Sequence, residues 1–240
     1  MSVTVHFSGG FGNNIFQYMC ARLFSMENGL RLLTPWIHQE ALPVTPFEGG
    51  EIVEGRQTVG IGEGMTPLAH PYSPNPYHFI GYFQKSSWYT SRREKIESFS
   101  RPGVFPSRNS RDVLMHLRLG DFKQCRIAIH PSWYLGILDQ EYSKAGGSRL
   151  IIVTNEPDPE YLANFSKYDP HVVCTNYGHD WNFMRQFDRV ICSNSTFAWW
   201  SFFFGRPKRI YMFKRWIGNP GMEMDTFENQ TVVDGRFLHE

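Results

Sequence analysis

The stretch Arg189–Gly205, RVICSNSTFAWWSFFFG, constrains this chain more than any other part of it. Arg189–Cys192 has the β-branched, apolar character of a short buried strand, and Phe197–Phe204 carries one polar side chain, Ser201. A helix that is apolar on every side has to lie inside a protein. Gly205 offers a left-handed stop, and Pro207 forbids continuation. Between strand and helix stand Ser193, Asn194, Ser195 and Thr196. Such a turn points free N–H groups and the positive end of a helix dipole beyond the strand, which suits an anion. The same residue types are also ordinary helix caps, so the turn alone leaves both readings open.

The rest of the chain supplies the setting for a buried strand and helix. Val3–Phe7 reads as a strand, Ser8–Asn14 as a glycine turn, and Asn13–Asn28 as a helix with Ile15, Phe16, Met19, Leu23 and Met26 at helical spacing, closed by Gly29. Leu30–Leu33 follows as a second strand, so the chain opens as a βαβ unit. Thr34–Pro76 holds seven prolines and reads as loop-rich surface. His78–Gln84 returns to strand character, and Trp88–Phe99 reads as a helix. Arg101–Arg111, RPGVFPSRNSR, resembles a linker. Beyond it the expected elements are a strand at Val113–Leu117, a helix at Pro131–Ala145, strands at Arg149–Thr154 and His171–Thr175, a helix at Trp181–Phe187 and a last strand at Arg209–Phe213. Strands alternating with helices imply a parallel sheet.

The glycine turn fits neither of two known phosphate loops. A dinucleotide fingerprint needs a third glycine where Ile15 stands, and an acidic residue near Leu32 and Leu33; a P-loop needs Gly-Lys-Ser/Thr. What remains is close backbone approach to a ligand with Asn13 as a polar finger, or a tight turn that needs glycine for sterics.

Charge narrows the partners. The 240 residues carry 24 basic and 23 acidic side chains, a net +1, with no long basic run, which argues against nucleic acid. Cys20, Cys125, Cys174 and Cys192 form no CxxC pair, so buried free thiols of a reducing compartment are expected rather than a disulfide frame or zinc site. The start, MSVTVHF, lacks the pattern of a signal peptide, and no apolar run spans a bilayer. The expectation is a soluble, cytoplasmic protein without a transmembrane segment.

In an open parallel sheet, ligands bind beyond the carboxyl ends of the strands. Gly9–Asn14, His116–Asp121 and Ser193–Thr196 fall at such ends. Arg118 has the planar fork that clamps phosphate, or it pairs with Asp121 structurally. His116 is either a ligand group or a hydrogen-bonded core histidine.

Four segments in order, GGFGNNIFQY, GYFQKSSWY, HLRLGDF and SNSTFAWW, resemble the α-1,2-fucosyltransferases of glycosyltransferase family 11. That family carries GGxGNQxFQY, GYFQ, HxRRxD and SNSTFSWW, and Asp180–Met184 is similar to its Asp-x-x-x-Met stretch. The resemblance implies a GT-B-like α/β fold: two Rossmann-like domains with parallel sheets and a donor cleft between them. Residues 1–107 would form the acceptor-side domain and 108–240 the nucleotide-sugar domain. It also implies GDP-fucose as donor, a glycan acceptor, an inverting reaction at O2 of a galactose or similar sugar, and no metal or cofactor. Arg118 would hold the donor's β-phosphate, with Ser195 and Thr196 adding donors. His116 and Asp180 would lie near the guanine. Gly10, Gly12 and Asn13 would face the pyrophosphate, and Asp121 is the candidate general base.

Three departures stand out: Leu119 replaces the second arginine of HxRRxD, Asn14 replaces a glutamine, and the chain is short before Pro76. Competing expectations are a transferase of another GDP-hexose, a non-catalytic nucleotide-sugar or glycan binder, and a metal-dependent enzyme using Asp158-Pro159-Glu160. Tyr72, Tyr77 and Trp88 would stack on a sugar or belong to the core.

Overall fold

A computed structural model describes residues 2–45, 59–62, 73–100, 108–145, 147–215 and 230–239. The chain divides into two compact units, Met1–Pro102 and Gly103–Glu240. Tyr72 and most of Arg101–Arg111 lie outside the described residues.

The first unit holds β1 (Ser2–Val5), α1 (Phe11–Glu27), β2 (Arg31–Leu32), β3 (Val59–Gly62), β4 (Tyr77–Ile80), α2 (Ser87–Thr90) and α3 (Arg93–Phe99). Its four strands are parallel, in the order β2-β1-β4-β3. Helix α1 buries Ile15, Phe16, Met19 and Leu23 as their spacing requires, and Phe24 packs against Tyr77 and Phe79. Met26, expected on the same face, is 40% exposed because it lies in the helix's last turn, beyond the sheet contact. Gly29 closes the helix at φ 62°, a left-handed value that favours glycine.

The helix expected at Trp88–Phe99 is two short helices. Ser91 donates its hydroxyl to Ser87 O (2.8 Å), and Arg92 turns out of the helix to pair with Glu27 at 2.7 Å. A serine hydroxyl and a long-range ion pair there outcompete helix continuation. Tyr77 is a core residue, and Trp88 is half-buried with Lys85 Nζ 5.6 Å from its ring centre.

The second unit holds β5 (Asn109–Leu117), α4 (Gly120–Gln124), α5 (Pro131–Ala145), β6 (Leu150–Thr154), α6 (Pro159–Ala163), β7 (His171–Val173), α7 (Tyr177–Met184), β8 (Phe187–Cys192), α8 (Thr196–Gly205), β9 (Arg209–Phe213) and β10 (Gln230–Val233). All six strands are parallel, in the order β10-β9-β8-β5-β6-β7. That is the doubly wound order, with the first and fourth strands of the unit, β5 and β8, side by side at its centre. From β5 the chain winds toward β7, and from β8 it winds the other way toward β10.

Helix α8 is buried from Ala198 onward, with Trp199 and Trp200 fully enclosed. The left-handed residue that ends it is Arg206 (φ 50°), not Gly205. Gly205 is glycine for a different reason: a Cβ there would come within 2.9 Å of the backbone of Arg185, which caps the end of α7. Arg108 then binds the carbonyls of Gly205 (2.5 Å) and Arg206 (3.0 Å), satisfying the end of the helix.

The segment read as a linker is already strand from Asn109. Among the described residues no helix is long and apolar enough to cross a membrane. Cys20 and Cys192 are buried free thiols, as expected, whereas Cys125 and Cys174 are exposed.

Candidate functional site

The doubly wound order directs attention to the carboxyl ends of β5 and β8, where neighbouring loops diverge and leave a crevice. Two of the sequence motifs meet there. His116 Nδ1 lies 2.7 Å from Ser193 Oγ, and the imidazole rests 5.8 Å from the ring of Phe197 in the first turn of α8. His116 is 2% exposed. Burial, and secondarily the nearby Arg118 charge, push its pKa down to about 3, so the ring is neutral at physiological pH. It is therefore a hydrogen-bonding pillar, not a cation for a phosphate.

Arg118 leaves the end of β5 half-buried. Its Nε donates to Asp121 Oδ1 at 2.9 Å and its Nη2 to Oδ2 at 3.0 Å, a two-pronged pair, and its guanidinium lies 5.6 Å from the Phe122 ring centre. The Asp121 side chain is 52% exposed, and an exposed pair of this kind is worth only about 0–1 kcal/mol. A phosphate can displace the carboxylate from the fork at small cost. Leu119 points the other way, into the core with Leu117, Ile129 and Trp133. In this chain the position after Arg118 is a packing position.

At the start of α8, Ser195 is the N-cap (φ −117°, ψ 124°), yet its side chain makes no cap hydrogen bond. The hydroxyl is not spent on the helix, and the first-turn N–H groups of Thr196 and its neighbours mark the positive end of the dipole. Beside it, Asn194 Nδ2 donates to Ile127 O at 3.0 Å, while its buried Oδ1 has no hydrogen-bond partner among the described residues. Buried acceptors of this kind are ordinarily met by water or ligand.

Asp180 is not brought into hydrogen-bond contact with this group. It lies in the first turn of α7, where its carboxylate accepts from the Thr175 hydroxyl (2.6 Å) and the Thr175 N–H (3.1 Å). It braces the turn between β7 and α7. Asp158, the metal candidate, caps α6 by accepting from Tyr161 N (3.0 Å) and pairs with Lys123. Among the described residues no group of three or more His, Cys, Asp and Glu side chains could hold a metal ion.

In the first unit the other two motifs also meet, at the carboxyl ends of β1 and β4. Gly10 is the N-cap of α1, and Gly12 lies in that helix's first turn. Asn13 accepts from Gln84 Nε2 at 3.0 Å, and its side chain covers Gly9, where a Cβ would meet Asn13 Nδ2 at 2.4 Å. Gly9, at φ 73°, is thus the glycine this turn most requires. Underneath, the fully buried Gln17 donates to Ser8 Oγ (2.9 Å) and Gly81 O (3.1 Å) and accepts from Ser8 N (3.1 Å). Asn14 joins it, donating to Ser8 O (3.1 Å) and facing His38 Nε2 at 2.9 Å.

Sequence reasoning missed Gln17 and Gln84 as the residues that fix this turn. The signal was available: a glutamine among the apolar residues of a helix has to find partners inside the protein.

A separate cavity of about 670 Å³ opens at the amino end of β5, lined by Arg108, Arg111, Arg149 and Phe183 among others. Its arginines are committed. Arg108 binds Asp188 and the end of α8, Arg149 binds Asp112, and Arg111 binds Gly147 O.

Two parallel-sheet α/β units, the second doubly wound, define the class: the fold is that of the GT-B glycosyltransferases. No protein-family model matches the chain, and no curated protein matches it by sequence. Among solved structures it is similar to the NodZ α-1,6-fucosyltransferase soaked with GDP-fucose, with TM-score 0.52 and 13% identity over 92% of this chain and 96% of that one. It is also similar to a variant of Arabidopsis thaliana FUT1 in complex with GDP, with TM-score 0.56 and 12% identity over 96% of this chain and 76% of that one. At such identities the likeness is one of fold.

Proposed function

We propose that this chain is a glycosyltransferase that moves fucose from GDP-fucose to a hydroxyl of a glycan acceptor, with inversion and without a metal. The observation that carries the reading is the meeting of His116–Asp121 with Ser193–Thr196 at the central crevice of a doubly wound sheet. The fold likeness to structures holding GDP-fucose and GDP supports the choice of donor. The resemblance of the four motifs to the α-1,2-fucosyltransferases supports transfer to O2 of a galactose or similar sugar.

Departure of GDP builds negative charge on the β-phosphate while the sugar becomes oxocarbenium-like. Arg118 turns its fork from Asp121 to that phosphate, and Ser195 with the α8 N-terminus adds donors. Fixed donors aimed at developing charge lower the barrier more than they tighten ground-state binding. Asp121, released from Arg118, is then free to take the acceptor's proton. In the first unit, Gly10, Gly12 and Asn13 present polar groups for a phosphate, and the unit as a whole serves the acceptor. Asp180 orders the β7–α7 turn for the base through Thr175. The resident group implied is the donor substrate alone.

Leu119, buried where the resemblance has an arginine, favours a second reading: a module that binds a nucleotide sugar without turning it over. Calorimetric titration with GDP, UDP and ADP, each with EDTA, on the native protein and on Arg118→Ala tests the donor site. GDP binding that is selective, metal-independent and strongly weakened in Arg118→Ala supports it, and equal binding of all three nucleotides overturns it. Release of GDP from GDP-fucose in the presence of galactosides separates the enzyme from the binding module.

A further inference from the structure

The loop that carries Arg118 and Asp121 is held by the turn that follows the neighbouring strand β6. The β5–β6 ladder ends at Leu117 opposite Thr154. The buried Thr154 hydroxyl then donates to Glu156 O at 3.0 Å and accepts from Glu156 N at 3.3 Å, which folds a tight turn over Asn155. From that turn Asn155 Oδ1 accepts the N–H of Leu119 at 2.9 Å.

Leu119 is in a conformation that is neither strand nor helix (φ −107°, ψ −95°), and it is 1% exposed. Its N–H has left the ladder, and Asn155 supplies the acceptor that burial demands. One step further, Gly120 lets the two loops touch: a Cβ there would lie 2.8 Å from Asn155 Nδ2 and 2.8 Å from Glu156 Oε2. The carbonyl of Leu119 accepts from Lys123 N at 2.9 Å and starts α4, the helix that places Asp121 three residues from Arg118.

We propose that Asn155 is a positioning residue for Arg118 and Asp121. This rests on the reading of Arg118 as the phosphate clamp. By fixing Leu119, Asn155 fixes the second of the two residues between the end of β5 and the start of α4, and with it the direction in which the Arg118 fork leaves the sheet. Asn155 is itself exposed, so replacing it leaves no hole in the core.

The test compares native protein, Asn155→Ala, Asn155→Asp, Arg118→Ala and the double variant Arg118→Ala/Asn155→Ala. Hydrogen exchange is followed on peptides that resolve Leu119, with thermal midpoints and GDP titration alongside. In Asn155→Ala, the Leu119 amide is expected to exchange at least about ten-fold faster, the scale of one lost hydrogen bond, with the thermal midpoint close to native. Asn155→Asp keeps the acceptor oxygen and restores slow exchange. GDP affinity falls about ten-fold in Asn155→Ala but not further when Arg118 is already alanine, because Asn155 acts through Arg118. Native exchange at Leu119 in Asn155→Ala overturns the proposal, and so does an undiminished effect on GDP affinity in the Arg118→Ala background. Failure of the native protein to bind GDP removes the donor reading, while exchange at Leu119 still decides whether Asn155 holds the loop.

Discussion

At the amino edge of the second unit's sheet, three buried carboxylates each meet a cation: Asp112 with Arg149, Asp188 with Arg108 and Lys208, Glu141 with Arg209. Burial opposes ionisation of all three, but hydrogen bonds from Asn109 to Asp112, from Tyr211 to Glu141 and from the paired cations, with the charge of those cations, hold each below the ordinary carboxylate range. At the carboxyl edge of the same strands the groups are a neutral histidine, hydroxyls, an amide with an open acceptor, and an arginine paired only at the surface. One edge has its charges neutralised inside the fold. The other keeps its cation and its donors exchangeable. The difference teaches where the molecule can bind: an edge whose buried charges are paired within the fold stabilises the sheet, and an edge whose cation is paired only at the surface can turn it to a ligand.

The largest test of this contrast is Arg118→Ala. Removing one donor aimed at developing charge typically costs on the order of 10²–10³ in rate, so turnover of GDP-fucose is expected to fall by that factor. The unfolding free energy from urea titration should change by less than about 1 kcal/mol, because the lost pair is exposed. A large loss of stability would place Arg118 among the structural arginines and erase the distinction between the edges.

Acid separates the edges next. His116 has a folded pKa of about 3, below its unfolded value, so below about pH 6.5 the unfolded chain takes up a proton that the folded one refuses. Its contribution to stability falls as pH drops from there, by at most about 1.4 kcal/mol per pH unit. The amino-edge carboxylates have depressed folded pKa values. Their contribution is present above the ordinary carboxylate range, near pH 4, and is lost as pH falls through the folded values. Denaturation midpoints measured from pH 7 to 3 should therefore show two phases. His116→Gln is expected to flatten the phase above about pH 4, and Asp188→Asn the phase below it. Identical profiles for the two variants would mean that the edges do not titrate separately.

What the sequence revealed divides along similar lines. Helix α5 begins at Pro131 and strand β9 runs Arg209–Phe213, as read, because local signals such as a proline start or an unbroken apolar run decide those elements. The edge strands β3, VGIG, and β10, QTVV, were not read, since two glycines or two polar residues leave too little pattern, and their pairing with β4 and β9 decides them. Helices α4 and α6 are too short for a period to show. The polar clusters at the strand ends were legible, but the contact of His116 with Ser193 was not, because it depends on strand order. The alternative reading of Arg118, a pair with Asp121, is present in the structure. Asn155 carried no local signal, since its partner is a backbone N–H in the loop that follows another strand.

Arg108→Ala probes the amino edge with a smaller expected effect. Asp188 is 2% exposed and would keep only Lys208, and the carbonyls at the end of α8 would lose their donor. A loss of about 2–3 kcal/mol in the unfolding free energy, read by urea titration, is expected. GDP affinity per folded molecule should be unchanged, which is the mirror image of Arg118→Ala. Weakened GDP binding without loss of stability would make the amino edge part of the ligand site.

The smallest expected change is also the most discriminating, because it lies inside a single residue. Replacing an N-cap serine by alanine ordinarily costs about 1 kcal/mol of stability, through loss of the bond from its hydroxyl to a first-turn N–H. Ser195 makes no such bond, so Ser195→Ala should leave the unfolding free energy within about 0.5 kcal/mol of native. If the hydroxyl is instead held for a phosphate, GDP affinity falls about ten-fold, the value of one hydrogen bond to a charged group. Equilibrium denaturation and calorimetric titration on the same preparation read both quantities. A destabilised protein with native affinity would return Ser195 to the fold, and the carboxyl edge would then be no more available to a ligand than the amino edge.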